Sequence, residues 1–318
     1  MNRFTFVVRR LLLTIPVLWV MTLFVFLMLR LIPGDPVRTM LGFRATPENV
    51  AAARDQLGLD EPLWQQYVDW LNGLLHGDLG IDLVSHAPLS ELLSQRLPVT
   101  LELTVLSMLV AIVVGVPLGA WAAVGTRRVR SVTDGIVVLG VSIPDFWLGI
   151  MLVLLFAATL GWLPPSGYVP FSEDPVGNLR YMVLPVATLA GAEAAYILRT
   201  TRGALEAVLQ RPSMTYLRAK GIGRSRMVAG HGLRNAAPTV VTVIGIQFGV
   251  LLGGAIVVET LFGLPGVGRL IVTAINQRNY PAVQAGVLAV ATIFVLVSLV
   301  VDLVVAWLDP RVADGVGT

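Results

Sequence analysis

The stretch YLRAKGIGRSRMVAGHGLRNAAP, residues 216–238, holds the only lysine of a 318-residue chain, Lys220, together with four arginines. The chain around it is 55% hydrophobic and 14% charged, with a mean hydropathy of +0.77. A soluble domain carries about 25% charged residues, so this composition belongs to an integral membrane protein. A basic, glycine-rich stretch in such a chain must leave the bilayer. The side on which it leaves fixes the orientation of everything else.

Six apolar runs are long enough to cross: 11–29, 101–124, 136–160, 182–198, 237–258 and 283–307. The first follows a basic MNRFTFVVRR segment, and its 19 residues span about 28 Å at 1.5 Å per residue. No small-x-small cleavage site follows it, so it reads as an uncleaved helix rather than a signal peptide. With the N-terminus placed inside, 15 of the 23 lysines and arginines fall on inner segments, including Arg127, Arg128, Arg130 and eight between residues 199 and 236. That bias fits the positive-inside rule with both termini cytoplasmic. The net charge of +3 therefore reports topology and not a nucleic-acid partner. There are no cysteines, which excludes disulfides and thiolate metal sites. His76, His86 and His231 are scattered, without acidic partners at ligand spacing, so no metal site is expected.

The quoted stretch thus lies in the largest cytoplasmic loop, 199–236, where Glu206 is the single acid. A loop that only fixed topology or touched anionic lipid would need arginines but no glycines at chosen places. Here Pro212-Ser213 starts a helix with Ser213 as its cap, and Arg218 and Lys220 fall in the last turn, where cations suit the helix dipole. Gly221 ends it in the left-handed conformation. Gly223 and Ser225 restart a second short helix towards Pro238. Ala219 and Gly221 at the tip of this knuckle let another backbone approach.

RAKG (218–221) and HGLRNA (231–236) resemble the EAA motif of the membrane subunits of binding-protein-dependent ABC importers, specifically the oligopeptide/dipeptide and nickel permease branch. The resemblance extends, in colinear order, to LIPGDP (31–36), LGLDEPLWQQY (57–67), GDLG (77–80), RLPVTLEL (96–103), ETLFGLPGVG (259–268), RNYPAVQAG (278–286) and LDPR (308–311). It departs from the pattern at residues 215–217 and at Pro238. It implies an all-α, six-span permease of the type I importer fold in a bacterial inner membrane. Residues 1–30 would form the N-terminus and first span, 31–99 an extracytoplasmic segment, and 100–318 a five-helix core with coupling loop 199–236. Arg218, Ala219, Lys220 and Gly221 would couple the chain to an ATPase. The implied partners are a second homologous permease, two ATP-binding subunits that hold ATP and Mg, and an extracytoplasmic substrate-binding protein.

The residues agree on energetics. No G-x-x-x-x-G-K-[ST] phosphate loop exists, because the one lysine sits in RAKG, so another polypeptide must supply ATP hydrolysis and the chain itself binds no cofactor. Six spans are few for a secondary transporter. A passive channel and a structural scaffold are the rivals from other classes, and neither has use for a clasped loop. The cargo is expected to be a short peptide, with nickel complexes, amino-acid conjugates and sugars left open.

Within the spans, Gly245, Gly249 and Gly253 recur every four residues, as do Ala111, Gly115 and Gly119. Such stripes serve either packing inside the subunit or a sliding partner interface. Four acids lie in or near spans: Glu102, Asp145, Glu193 and Asp302. Glu102 reaches the outer interface and Asp302 the cytoplasmic boundary. Asp145, after Pro144 and eleven residues beyond Asp134, is expected near the midplane of a kinked third helix, either in a structural role or lining the substrate path with Gly245, Gly249 and Gly253. The outer segment, with nine acids against four arginines, has Thr46 capping a helix at Pro47. Its next helix places Leu63, Tyr67, Trp70, Leu71 and Leu74 on one face, for the interface or for the binding protein.

Overall fold

The computed structural model of the protein describes residues 3–30, 37, 41, 45–56 and 58–308. LIPGDP (31–36), Arg38, Arg44, and all of LDPR except Leu308 lie outside the described residues, as do the side chains of Arg3 and Arg224. The described chain is helical. Its elements are α1 (Arg3–Arg30), α2 (Pro47–Gln56), α3 (Leu63–Leu75), α4 (Leu89–Val124), α5 (Arg127–Ser142) and α6 (Asp145–Leu152). They continue with α7 (Pro175–Leu209), α8 (Pro212–Ala219), α9 (Met227–Phe262), α10 (Val267–Asn276) and α11 (Tyr280–Leu308).

Five of these, α1, α4, α7, α9 and α11, are long and apolar enough to cross alone. A bent helix pair makes a sixth candidate crossing. The sequence predicts one helix over 136–160, but α5 and the α6 segment, which continues to Thr159 through a π-helical turn, meet at 99°. Pro144 explains the break: it cannot donate to the preceding turn, and it stands as the N-cap of α6 with ψ 139°. Two spans are also longer than their apolar runs predicted. α4 has 36 residues and α7 has 35, each about 50 Å against a hydrocarbon core of about 30 Å. The predicted loop 199–236 is consequently helical up to Leu209, again through α8, and again from residue 224.

α4, α7 and α9 form the centre, clustering Leu103, Met108, Ala111, Leu184, Ile197, Leu251 and Ala255. Close approach comes from small residues. A Cβ built on Gly119 would lie 2.6 Å from the Leu198 carbonyl oxygen and 2.7 Å from Thr201 Cβ; one on Gly115 would lie 2.8 Å from the Ala194 carbonyl. The stripe on α4 therefore packs α4 on α7. Because the obstacle at Gly119 is backbone, Gly119→Ala is expected to cost about 1–3 kcal/mol. Gly203→Ala, where a Cβ meets nothing within 4 Å, should cost nothing. Thermal unfolding of the two variants in detergent checks this: equal melting temperatures would remove the packing role.

The two ends of the bundle differ in charge. At the arginine-rich end, Arg10 of α1 pairs with Asp302 of α11 at 2.5 Å, and Arg202 of α7 with Asp134 of α5 at 2.5 Å. At the opposite end, Leu89 and Leu93 of α4 pack with Ile271 of α10 and Tyr280 and Val283 of α11. Here Asn49 N donates to Thr46 Oγ1, the cap expected for α2. The face predicted for α3 holds only in part. Tyr67 and Trp70 pack on Phe26 of α1, with ring centroids 5.3 and 5.9 Å away, whereas Leu63 is 53% exposed.

Candidate functional site

At the arginine-rich end, Pro212 takes the N1 position of α8, where its missing N–H goes unused. Arg211 and not Ser213 is the N-cap, and no side chain caps the helix. Met214 is the buried residue of α8; it clusters with Val208 of α7 and Met227 and Ala236 of α9. The outward face carries Tyr216, Arg218, Ala219 and Lys220, all exposed, with Lys220 Nζ 4.6 Å from the Tyr216 ring centroid. Gly221 follows with φ +79°, and a Cβ there would meet no atom of this chain within 4 Å. The turn that follows does not lead to a separate short helix. Residues 224–226 run through a π-helical turn, Met227–Gly232, straight into the fifth span, because Gly232 fits against Leu205 and the apolar register continues. The knuckle is thus one short helix and one glycine turn mounted on the ends of α7 and α9.

Behind α8 lies a cavity of about 470 Å³ lined by Arg130, Glu206, Gln210, Thr215 and Arg218. Glu206 meets Arg202 at 3.4 Å and Arg130 at 3.5 Å, which joins α5 to α7 beneath the knuckle. Buried Met214 and half-buried Leu217 hold α8 over this polar cleft.

A second polar group lies half-way along α7 and α9. Gln247 donates to Glu193 Oε2 at 2.9 Å, and both are buried, at 8% and 5% exposure. Asp145 stands close by in the first turn of α6, where the helix N-terminus favours its charge. A Cβ on Gly254 would come within 3.5 Å of its Oδ2, and its carboxylate accepts no hydrogen bond among the described residues. The expectation of a kinked, continuous third helix is therefore corrected: Asp145 begins a new helix, and its depth is set by Gly254 and Glu193. Gly245 meets Val301 and Gly249 meets Phe294, both from α11, while Gly249 and Gly253 also line one apolar cavity of about 570 Å³ between α9, α10 and α11. Gly253 alone of the three has open space above it.

The acid that sequence reasoning missed is Glu259, which is fully buried. Thr100 Oγ1 donates to its Oε1 at 2.6 Å and Arg269 N to its Oε2 at 2.9 Å, while Val267 N donates to Thr100 Oγ1 at 2.9 Å. One carboxylate thereby caps α10 and ties α4, α9 and α10 together. Gly266 and Gly268 make room for it, since a Cβ on Gly266 would lie 2.3 Å from its Oε1. The predicted fifth span stops at 258, one residue short of it; the signal was an acid followed by GLPGVG, a turn and a helix start. Glu102, expected at the outer interface, is half-buried there and accepts from Tyr168 Oη at 2.7 Å. Burial, and then the hydrogen bond and charge of Glu102, push the Tyr168 phenol well above the usual tyrosine range, so it remains a donor. At the same end Asn279 Nδ2 donates to Asp82 Oδ2 at 2.7 Å, which joins the 77–88 loop to the start of α11.

Residues 115–314 match the family described as binding-protein-dependent transport system inner membrane component, and residues 3–104 match that family's N-terminal region. The chain belongs to this family of transport permeases. It is 41% identical over 332 residues to the dipeptide transport system permease protein of Escherichia coli, with 96% of this chain and 98% of that relative covered. The glutathione transport system permease protein of Escherichia coli is 40% identical over 308 residues, with the same coverage. Among solved structures, an inward-facing MetNI methionine ABC transporter superposes with a TM-score of 0.56 at 19% identity, covering 69% of this chain and 96% of that one. That likeness shows the type I ABC permease fold. Both the knuckle around Gly221 and the Asp145–Glu193 group lie within the matched region of the family.

Proposed function

We propose that the chain is one of two homologous permeases in an ATP-driven importer of di- or oligopeptides. In this reading its two ATPase partners hold ATP and Mg and grip α8, and an extracytoplasmic binding protein delivers cargo at the acidic end. The arginine-rich end, with both termini, is then cytoplasmic. Relatives named for dipeptide and glutathione transport support a peptide cargo; nickel or another small solute is the alternative within the family. The observation that carries the coupling role is the knuckle itself. Tyr216, Arg218, Ala219, Lys220 and Gly221 are exposed, and a Cβ on Gly221 would meet no atom of this chain, on a helix held by Met214 and Leu217. A scaffold or passive channel has no use for such a projection.

Cargo then passes Asp145, whose carboxylate at mid-span lacks a hydrogen-bond donor of its own. An intramembrane acid needs water or a cation facing it, and a peptide's ammonium group supplies one transiently. In cells lacking their own dipeptide importers, co-expression of this chain with its transporter subunits is expected to restore ATP-dependent uptake of labelled dialanine. Asp145→Asn should slow a cationic dipeptide about fivefold more than an acidic one, the size of a ~1 kcal/mol charge contact in a wet path. Equal slowing of both cargoes returns Asp145 to a structural role, and uptake of nickel without any peptide replaces the cargo.

A further inference from the structure

At the acidic end, away from the mid-span group, a cavity of about 360 Å³ opens between α1, α3, the 79–86 loop and the start of α11. Glu61, Asp69 and Asp82 line it, with Phe26 and Trp70 as aromatic wall, and no lysine or arginine is among its lining residues. The Asp82 carboxyl is ionised. Burial alone would raise it, but hydrogen bonds from Ser85, the Val84 N–H and the Asn279 amide outweigh burial and hold it below the ordinary carboxylate value. Three carboxyl groups therefore share one concavity, with His86 the one basic side chain among the described residues that line it.

Gln284 makes the cavity more than an acidic patch. It is 7% exposed, it lines the cavity, and its side chain forms no hydrogen bond among the described residues. Its amide opens onto the cavity, where its oxygen can accept and its NH₂ group can donate. Its oxygen and the carboxylates are acceptors, and the Trp70 face attracts cations. The carboxylates and the aromatic wall together select a compact positive donor.

We infer that this cavity is a binding site for a primary ammonium group, separate from the transport path. Two sources carry that group at this depth: the amino end of a short peptide arriving from solution, and the ethanolamine headgroup of a membrane lipid. The chemistry is common to both.

The test is equilibrium binding to the purified full-length chain in phosphatidylcholine nanodiscs, with dialanine and N-acetyl-dialanine as probes. The site predicts saturable binding of dialanine that weakens at least tenfold on N-acetylation. The same loss is expected for Glu61→Gln combined with Asp69→Asn, both exposed and free of fold-holding bonds, and for Gln284→Leu. Asp145→Asn is expected to bind as the parent does, so that failure here is distinct from failure of the transport reading. Nanodiscs containing phosphatidylethanolamine separate the sources: competition with dialanine assigns the lipid headgroup, and undiminished dialanine binding assigns the peptide. Equal binding of the acetylated probe, or parent-like binding by the Glu61→Gln/Asp69→Asn variant, overturns the site.

Discussion

Gly221→Arg is expected to lower ATP-driven uptake roughly 100-fold while leaving the chain folded in the membrane. Two effects combine. At φ +79° a Cβ strains the turn by about 1–2 kcal/mol, and a long cation then occupies the open space beside Ala219 where a partner backbone would sit. A loss of about 3 kcal/mol at the centre of an interface corresponds to the 100-fold figure. Gly221→Ala should show only the strain. Gly230→Arg, also at an open position but off the knuckle's tip, should transport normally. Uptake and substrate-stimulated ATP hydrolysis by the reconstituted complex measure the effect; near-normal uptake by Gly221→Arg would remove the docking role from α8.

Glu259→Ala is expected to be the most destabilising single change. It strips the acceptor from the Thr100 hydroxyl and from the Arg269 N–H in a site with no water access. Losing two buried hydrogen bonds to a charged group costs about 3 kcal/mol or more. Glu259→Gln should fall between, because one amide oxygen cannot serve both donors and its NH₂ group faces an N–H. The melting temperature in detergent should therefore drop in the order Gln then Ala, by several degrees for Ala. Equal stability of parent and Ala variant would mean that α10 is held by its apolar face alone, through Val267, Leu270 and Ile271.

Apolar runs made the spans legible, and the arginine distribution made the basic end legible, because both are properties of composition over many residues. Gly221 was legible singly, since a glycine after a cationic last turn has one common conformation. The break at Pro144 was not, for a proline in an apolar run reads equally as a kink or as a helix start. Only the packing of Gly149 against Leu261 and Thr188 decides for the start. Gly245 and Gly249 were legible only as places of close approach. A small-residue stripe states that something comes close, and the partner proved to be Val301 and Phe294 of the same chain. Glu259 escaped because its value lies in donors 159 and 10 residues away, which no local pattern encodes. The Asp82–Asn279 bond spans 197 residues and was hidden in the same way.

The claim on which the account rests is that α8 meets an ATPase. The chain has no cysteine and a single knuckle, so one reactive position reports cleanly. A photo-cross-linking residue placed at Ala219 in the assembled transporter, illuminated in membranes, is predicted to give an adduct containing the ATPase subunit. The same residue at Leu75, 77% exposed at the acidic end, should give none. An ATPase adduct from position 75 with none from position 219 would contradict both the orientation and the coupling role.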